Sequence, residues 1–130
     1  MEWDAKYSVG HEPFDNQHVA MVDIIGRMSE LAENAKDKDR KTWLPLLDDF
    51  IAMATMRFRD EEEELEKRGY DELLEHQDEH RNLLNELLEI RGRQEKEGGQ
   101  PSLEVTEFLA NWMTVHVGET DGRYRRLFKE

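Results

Sequence analysis

Four α-helices packed up-down-up-down as an antiparallel bundle, led by an extended N-terminal arm, are the fold this 130-residue chain predicts. Apolar residues recur at intervals of three and four through four separate stretches, the spacing that lines one face of a helix. The prolines and glycines fall where helices should start or stop, and no stretch alternates with period two for long enough to form a strand. Four helices of similar length joined by short turns pack most simply as such a bundle.

Residues 1–12 lack helical periodicity and read as the arm. Asp15, or Pro13 in a first turn, can open the first helix, which should run to about Lys36 with Phe14, His18, Met21, Ile25, Met28 and Ala32 on its apolar stripe. The polar segment Asn34–Arg40 is a turn. A second helix is expected from about Lys41 to Lys67. Its stripe is Trp43, Leu47, Phe50, Ala54, Arg57, Glu61 and Leu65, with Pro45 tolerated in the first turn and Gly69 placed to close the far end. The third helix covers about Asp71 to Glu95, with Leu73, His76, His80, Leu83, Leu87 and Ile90 on one face. Gly98-Gly99-Gln100-Pro101 is the sharpest break in the chain. The fourth helix begins near Ser102 and turns Val105, Leu109, Trp112 and His116 inward, and a short tail from Gly122 closes a single domain over residues 1–130.

Composition narrows the chemistry. With 18 basic and 31 acidic residues the formal net charge is -13, a field that repels nucleic-acid phosphates and anionic lipid. There are no cysteines, so disulfides, thiolate metal sites and a cysteine nucleophile are excluded, and a bound metal must sit among nitrogen and oxygen donors. Met1-Glu2-Trp3-Asp4 has neither the basic nor the apolar region of a secretory signal, and no apolar run approaches the roughly 20 residues that span a bilayer. The expectation is a cytoplasmic protein with no nucleic-acid or membrane partner.

Four of the five histidines lie in three spaced motifs: Asp15-Asn16-Gln17-His18, His76-x-x-x-His80 and His116-Val117-Gly118-Glu119-Thr120-Asp121. His76 and His80 are one helical turn apart and continue an apolar stripe, so both rings point into the bundle, where an unpaired imidazole is costly. His18 and His116, each mid-stripe on another helix, would singly be ordinary core histidines; their significance lies in convergence. Glu61 lies on the second stripe and is therefore buried and in need of a positive partner. Asp60, Glu62 and Glu63 turn outward as a solvated face, and Glu64 points partly inward. Asp121 lies about 140° from His116 on an ideal helix, so it shares that face only if the helix distorts or ends near Gly118.

These motifs resemble the hemerythrin family, especially its bacterial single-domain members, over nearly the whole chain. The resemblance runs through Trp3…Tyr7-Ser8-Val9-Gly10, Asp15-x-Gln17-His18, Phe58-x-x-Glu61-Glu62 with Gly69-Tyr70, His76-x-x-x-His80, and Trp112-x-x-x-His116-x-x-x-x-Asp121. It implies a non-haem di-iron centre bridged by Glu61 and Asp121, with His76, His80 and His116 on one iron and His18 on the other, which keeps a position for O2 or a small anion. The expected activity is reversible O2 binding for storage, sensing or delivery rather than turnover. The alternatives are an iron-dependent oxidase or peroxidase, and a mono-iron or metal-poor module.

One position breaks the resemblance. Where the family's pattern has a histidine, this chain has Arg57, which offers no lone pair and cannot ligate. Two arrangements follow. Arg57 swings outward and leaves a weakened second iron, or its guanidinium pairs with Glu61 or Asp121 and stands in for the charge of that iron. His11 and Glu64, also unusual for the family, are the other groups that could complete the site.

Overall fold

The structure is a computed structural model that describes residues 8–34, 41–115 and 121–128, without the side chains of residues 121, 122, 125 and 126. Its helices are α1 (Glu12–Asn34), α2 (Trp43–Lys67), α3 (Leu73–Lys96) and α4 (Leu103–Val115), followed by a 3-10 helix over Asp121–Phe128. No strand occurs among the described residues. Packing of α1 on α2, α2 on α3 and α1 on α4 gives the antiparallel four-helix bundle that the periodicity predicts.

The stripes are buried as their spacing requires. All seven stripe residues of α2, Trp43, Leu47, Phe50, Ala54, Arg57, Glu61 and Leu65, are buried, and so are Phe14, His18, Met21, Ile25 and Met28 of α1. Each fully buried Leu, Ile or Met contributes about 1.5–3 kcal/mol relative to the exposed side chain. The main cluster, from Trp43 to Trp112, fills the middle of the bundle and one end. A second cluster, Val9, Phe14, Leu65, Tyr70 and Tyr124, closes the other end beneath the arm and the 3-10 helix. That closed end is where the site lies. No helix among the described residues is long and apolar enough to cross a membrane.

Local chemistry sets the boundaries. Past the end of α2, Tyr70 N–H donates to Leu65 O at 3.0 Å and Gly69 N–H to Glu66 O at 3.1 Å, with Gly69 at φ +70. This paired pattern needs a left-handed residue, and Tyr70 and Leu65 complete it by packing together. The same pattern ends α3 through Gly98 and Gly99. Ser102 Oγ accepts Val105 N–H at 3.3 Å and opens α4.

The structure refines the sequence expectations. Of the two expected openings of α1, the one with Pro13 in the first turn is found, the helix beginning at Glu12; the Asp15 carboxylate reaches back to accept Ser8 Oγ–H at 2.7 Å and Val9 N–H at 2.9 Å, tying the arm to the helix. Gly26 and Gly92 lie inside α1 and α3 rather than at helix ends, and a Cβ on either would meet nothing within 4 Å. The 3-10 helix over Asp121–Phe128 takes up most of the short tail expected from Gly122.

Candidate metal centre

Among the described residues, one group of buried donors has its ligand atoms within 4.8 Å of one another: Glu61 from α2, and His76 and His80 from α3. The i, i+4 spacing on α3 aims both rings across the seam at Glu61, one helical turn before the last buried stripe position of α2 at Leu65. His76 Nε2 contacts Glu61 Oε1, and His80 Nε2 lies 3.0 Å from the same oxygen. The His80 ring is stacked on Phe58, centroids 4.0 Å apart and planes within 8°, which fixes its orientation.

The outer face of His80 is fixed as well. Its Nδ1 lies 3.0 Å from Glu62 Oε2. A carboxylate only accepts, so a hydrogen on Nδ1 is donated to Glu62, while Nε2 on the other side of the ring faces Glu61. An imidazole held by a carboxylate on its outer nitrogen, with the inner nitrogen turned towards further donor groups, is the arrangement metal-binding histidines ordinarily show. The donor set therefore fits a metal: two imidazoles and one carboxylate oxygen, converging in a site from which water is excluded, with hard-to-intermediate donors suited to iron.

The other oxygen of Glu61 has different partners. Arg57, one turn earlier on α2, places Nη2 at 2.9 Å from Oε2. The Tyr124 hydroxyl donates to the same oxygen at 2.8 Å. Arg57 Nη1 donates to the Phe14 carbonyl of α1 at 2.7 Å, and the guanidinium carbon lies 5.4 Å from the Phe14 ring centroid. Arg57 is 1% and Glu61 0% exposed, so each compensates a charge whose isolated burial would cost several kcal/mol. Of the two arrangements the sequence left open for Arg57, the inward one is found.

His18 is fully buried on α1 but stands outside the three-residue group. His116 lies outside the described residues. Asp121 opens the 3-10 helix, but its side chain too is outside them. Neither of the other candidate groups joins the site. The half-buried His11 ring packs against Phe14 and Phe128 at 4.5 and 4.9 Å. Glu64 accepts Arg68 Nε–H at 2.9 Å, and that guanidinium holds its carboxyl below the ordinary 4.5.

Glu62 and Tyr124 are the residues that sequence reasoning missed. Glu62 reads as a solvated face because it is about 100° round α2 from Glu61, yet it is half-buried and bridges to α3. Tyr124 belongs to a segment without α-periodicity. The alternation of apolar Tyr124, Leu127 and Phe128 with arginines was its only signal.

The chain is similar to known proteins along most of its length. The family model described as "Hemerythrin HHE cation binding domain" matches residues 9–127. A bacteriohemerythrin from Methylococcus capsulatus is 24% identical over 110 residues, covering 85% of this chain and 82% of the relative. A second, from Clostridium acetobutylicum, is 24% identical over 125 residues, covering 94% and 96%. A crystal structure of wild-type hemerythrin superposes with a TM-score of 0.89 at 23% identity, covering 100% of this chain and 98% of the other, which bears on the fold. With the match running through both helices that supply the buried donors, the chain belongs to the hemerythrin family.

Proposed function

We propose that this chain is a single-domain, non-haem iron protein over residues 1–130 that reversibly binds O2 or a small anion, for storage, sensing or delivery. Its ligands are drawn from His18, Glu61, His76, His80, His116 and Asp121. The observation that carries this reading is the buried convergence of Glu61, His76 and His80, with His80 oriented by Glu62. The names of the relatives, bacteriohemerythrin and hemerythrin, support the same reading. When bound, iron supplies the Lewis-acid and redox centre at which the small molecule docks.

The chain's own residues do the rest. Glu62 and Phe58 hold the His80 ring in one plane and one orientation. Arg57 and Tyr124 fix the rotamer of Glu61, so that Oε1 is presented to the imidazoles. Phe58, Trp112 and Tyr70 dry the site's walls and exclude competing water. The test is iron per chain after reconstitution, together with the optical spectrum as O2 is removed and readmitted. A spectrum that cycles without loss is the expected result. Sustained consumption of peroxide would make the chain an enzyme instead, and a protein that takes up no iron would sink the proposal.

A further inference from the structure

The two oxygens of Glu61 face different kinds of partner. Oε1 faces the imidazoles of His76 and His80, and Oε2 faces a guanidinium and a phenol. We propose that the site is built for one iron per chain, with the guanidinium of Arg57 acting as a tethered cation in the place a second ion would take on Glu61. This rests on the reading that the chain binds iron, and it deepens that reading from the metal's identity to its number.

A carboxylate bridges two metal ions by giving one oxygen to each. Here the second oxygen already has a cation 2.9 Å away, carried on the same helix one turn earlier. That cation is permanent, because arginine does not lose its proton in a protein, and it has no lone pair to offer a metal. A divalent ion seated on Oε2 would meet a buried positive charge at contact distance, in surroundings that screen poorly.

Nor can Arg57 readily step aside. Its second amino group is bonded to the Phe14 carbonyl at 2.7 Å, its face lies against the Phe14 ring, and the whole side chain is 1% exposed. Swinging out would leave Glu61 and the Phe14 carbonyl short of a donor and would open a hole beneath Phe14. An ion on Oε1, by contrast, gains two imidazole nitrogens and leaves the Arg57 contacts untouched. The residue thus acts on the metal through Glu61. It is a positioning and stoichiometry-setting residue, not a ligand.

The experiment titrates metal-free protein with ferrous iron under anaerobic conditions and counts the iron retained after desalting, for the parent, Arg57→His and Arg57→Lys. The parent and Arg57→Lys should saturate at one iron per chain, because both keep a cation beside Oε2. Arg57→His should approach two. Melting temperatures with and without iron guard against a variant that folds poorly. Arg57→His should melt below the parent when metal-free, since Glu61 loses its counter-charge. It should also gain more than the parent on adding iron, because two ions then bind only the folded state. Two irons in the parent, or one iron and a parent-like gain in Arg57→His, would overturn the inference while leaving the iron reading intact. A parent that retains no iron would overturn the iron reading itself, and this one with it.

Discussion

Tyr124 and Glu61 are 63 positions apart in the chain, yet the tyrosine hydroxyl donates to the buried carboxylate at 2.8 Å. The 3-10 helix that carries Tyr124 is pinned from outside by Arg68, whose Nη1 donates to the Leu127 carbonyl at 2.7 Å while its guanidinium lies 4.1 Å above the Phe128 ring. This 3-10 helix is thereby part of the site's wall.

Tyr124→Phe keeps the ring packed and removes only the hydroxyl. Glu61 Oε2 then retains Arg57 but loses its second donor, and a buried acceptor left short costs about 1–3 kcal/mol. Urea denaturation of the metal-free protein should show a loss in that range. An unchanged midpoint would mean that the hydroxyl contributes nothing to holding Glu61.

Glu61→Ala and Glu62→Ala should separate cleanly. The first removes a ligand and strands the buried Arg57, so it should abolish iron retention and cost about 3–5 kcal/mol of stability. The second frees the outer nitrogen of His80 and should weaken iron binding about 10–100-fold without abolishing it. Competition against a chelator measures both, and equal losses would sink the assignment of Glu62 to an outer, orienting role.

Acid should weaken one contact at the bundle's edge. Arg68 holds the Glu64 carboxyl below its ordinary 4.5 in the folded protein. A group with a depressed folded value stabilises fully above its unfolded value and loses that contribution as pH falls through the folded one. The melting-temperature difference between the parent and Glu64→Gln should therefore be small but constant at neutral pH and shrink below about pH 4.5. A difference that grows on acidification would contradict the assigned direction.

Gly99 combines a left-handed backbone at φ +68 with crowding, since a Cβ there would come within 2.8 Å of Leu44 Cδ1. Gly99→Ala should destabilise by more than about 1 kcal/mol, whereas Gly92→Ala, inside α3 with nothing nearby, should be neutral or stabilising by about 0.4–1 kcal/mol. Thermal melts of the two variants settle the contrast.

The fold was largely legible in the sequence because period-3.6 burial is a local property. The α2 stripe from Trp43 to Leu65 could be written down residue by residue, polar members included, and every one of them is buried. Gly69 was identifiable as the end of α2 for the same reason, since only a left-handed residue allows the turn found there. What periodicity could not show was reach. Glu62 crosses to α3, Asp15 turns back to the arm, and Arg57 spans from Glu61 to α1, because long side chains choose partners across a seam. Helix phase places a Cβ but not the atoms several bonds beyond it. Whether Arg57 turned in or out was undecidable from spacing, since the choice depends on the Phe14 carbonyl waiting on another helix.

The aromatic rings give the protein an optical consequence. Trp112 lies 5.8 Å from Phe58, which is itself stacked on His80, so its indole stands one ring away from the metal candidates. Trp43 lies 18 positions before Glu61 on α2, about 27 Å along the axis, with its indole N–H donating to Gln94 at 2.8 Å. Emission from Trp112 is placed to be quenched by a paramagnetic ion, while Trp43 reports the packing of the opposite end. Two of the chain's three tryptophans thus divide the bundle's length between them, one a gauge of site occupancy and the other of the fold's integrity.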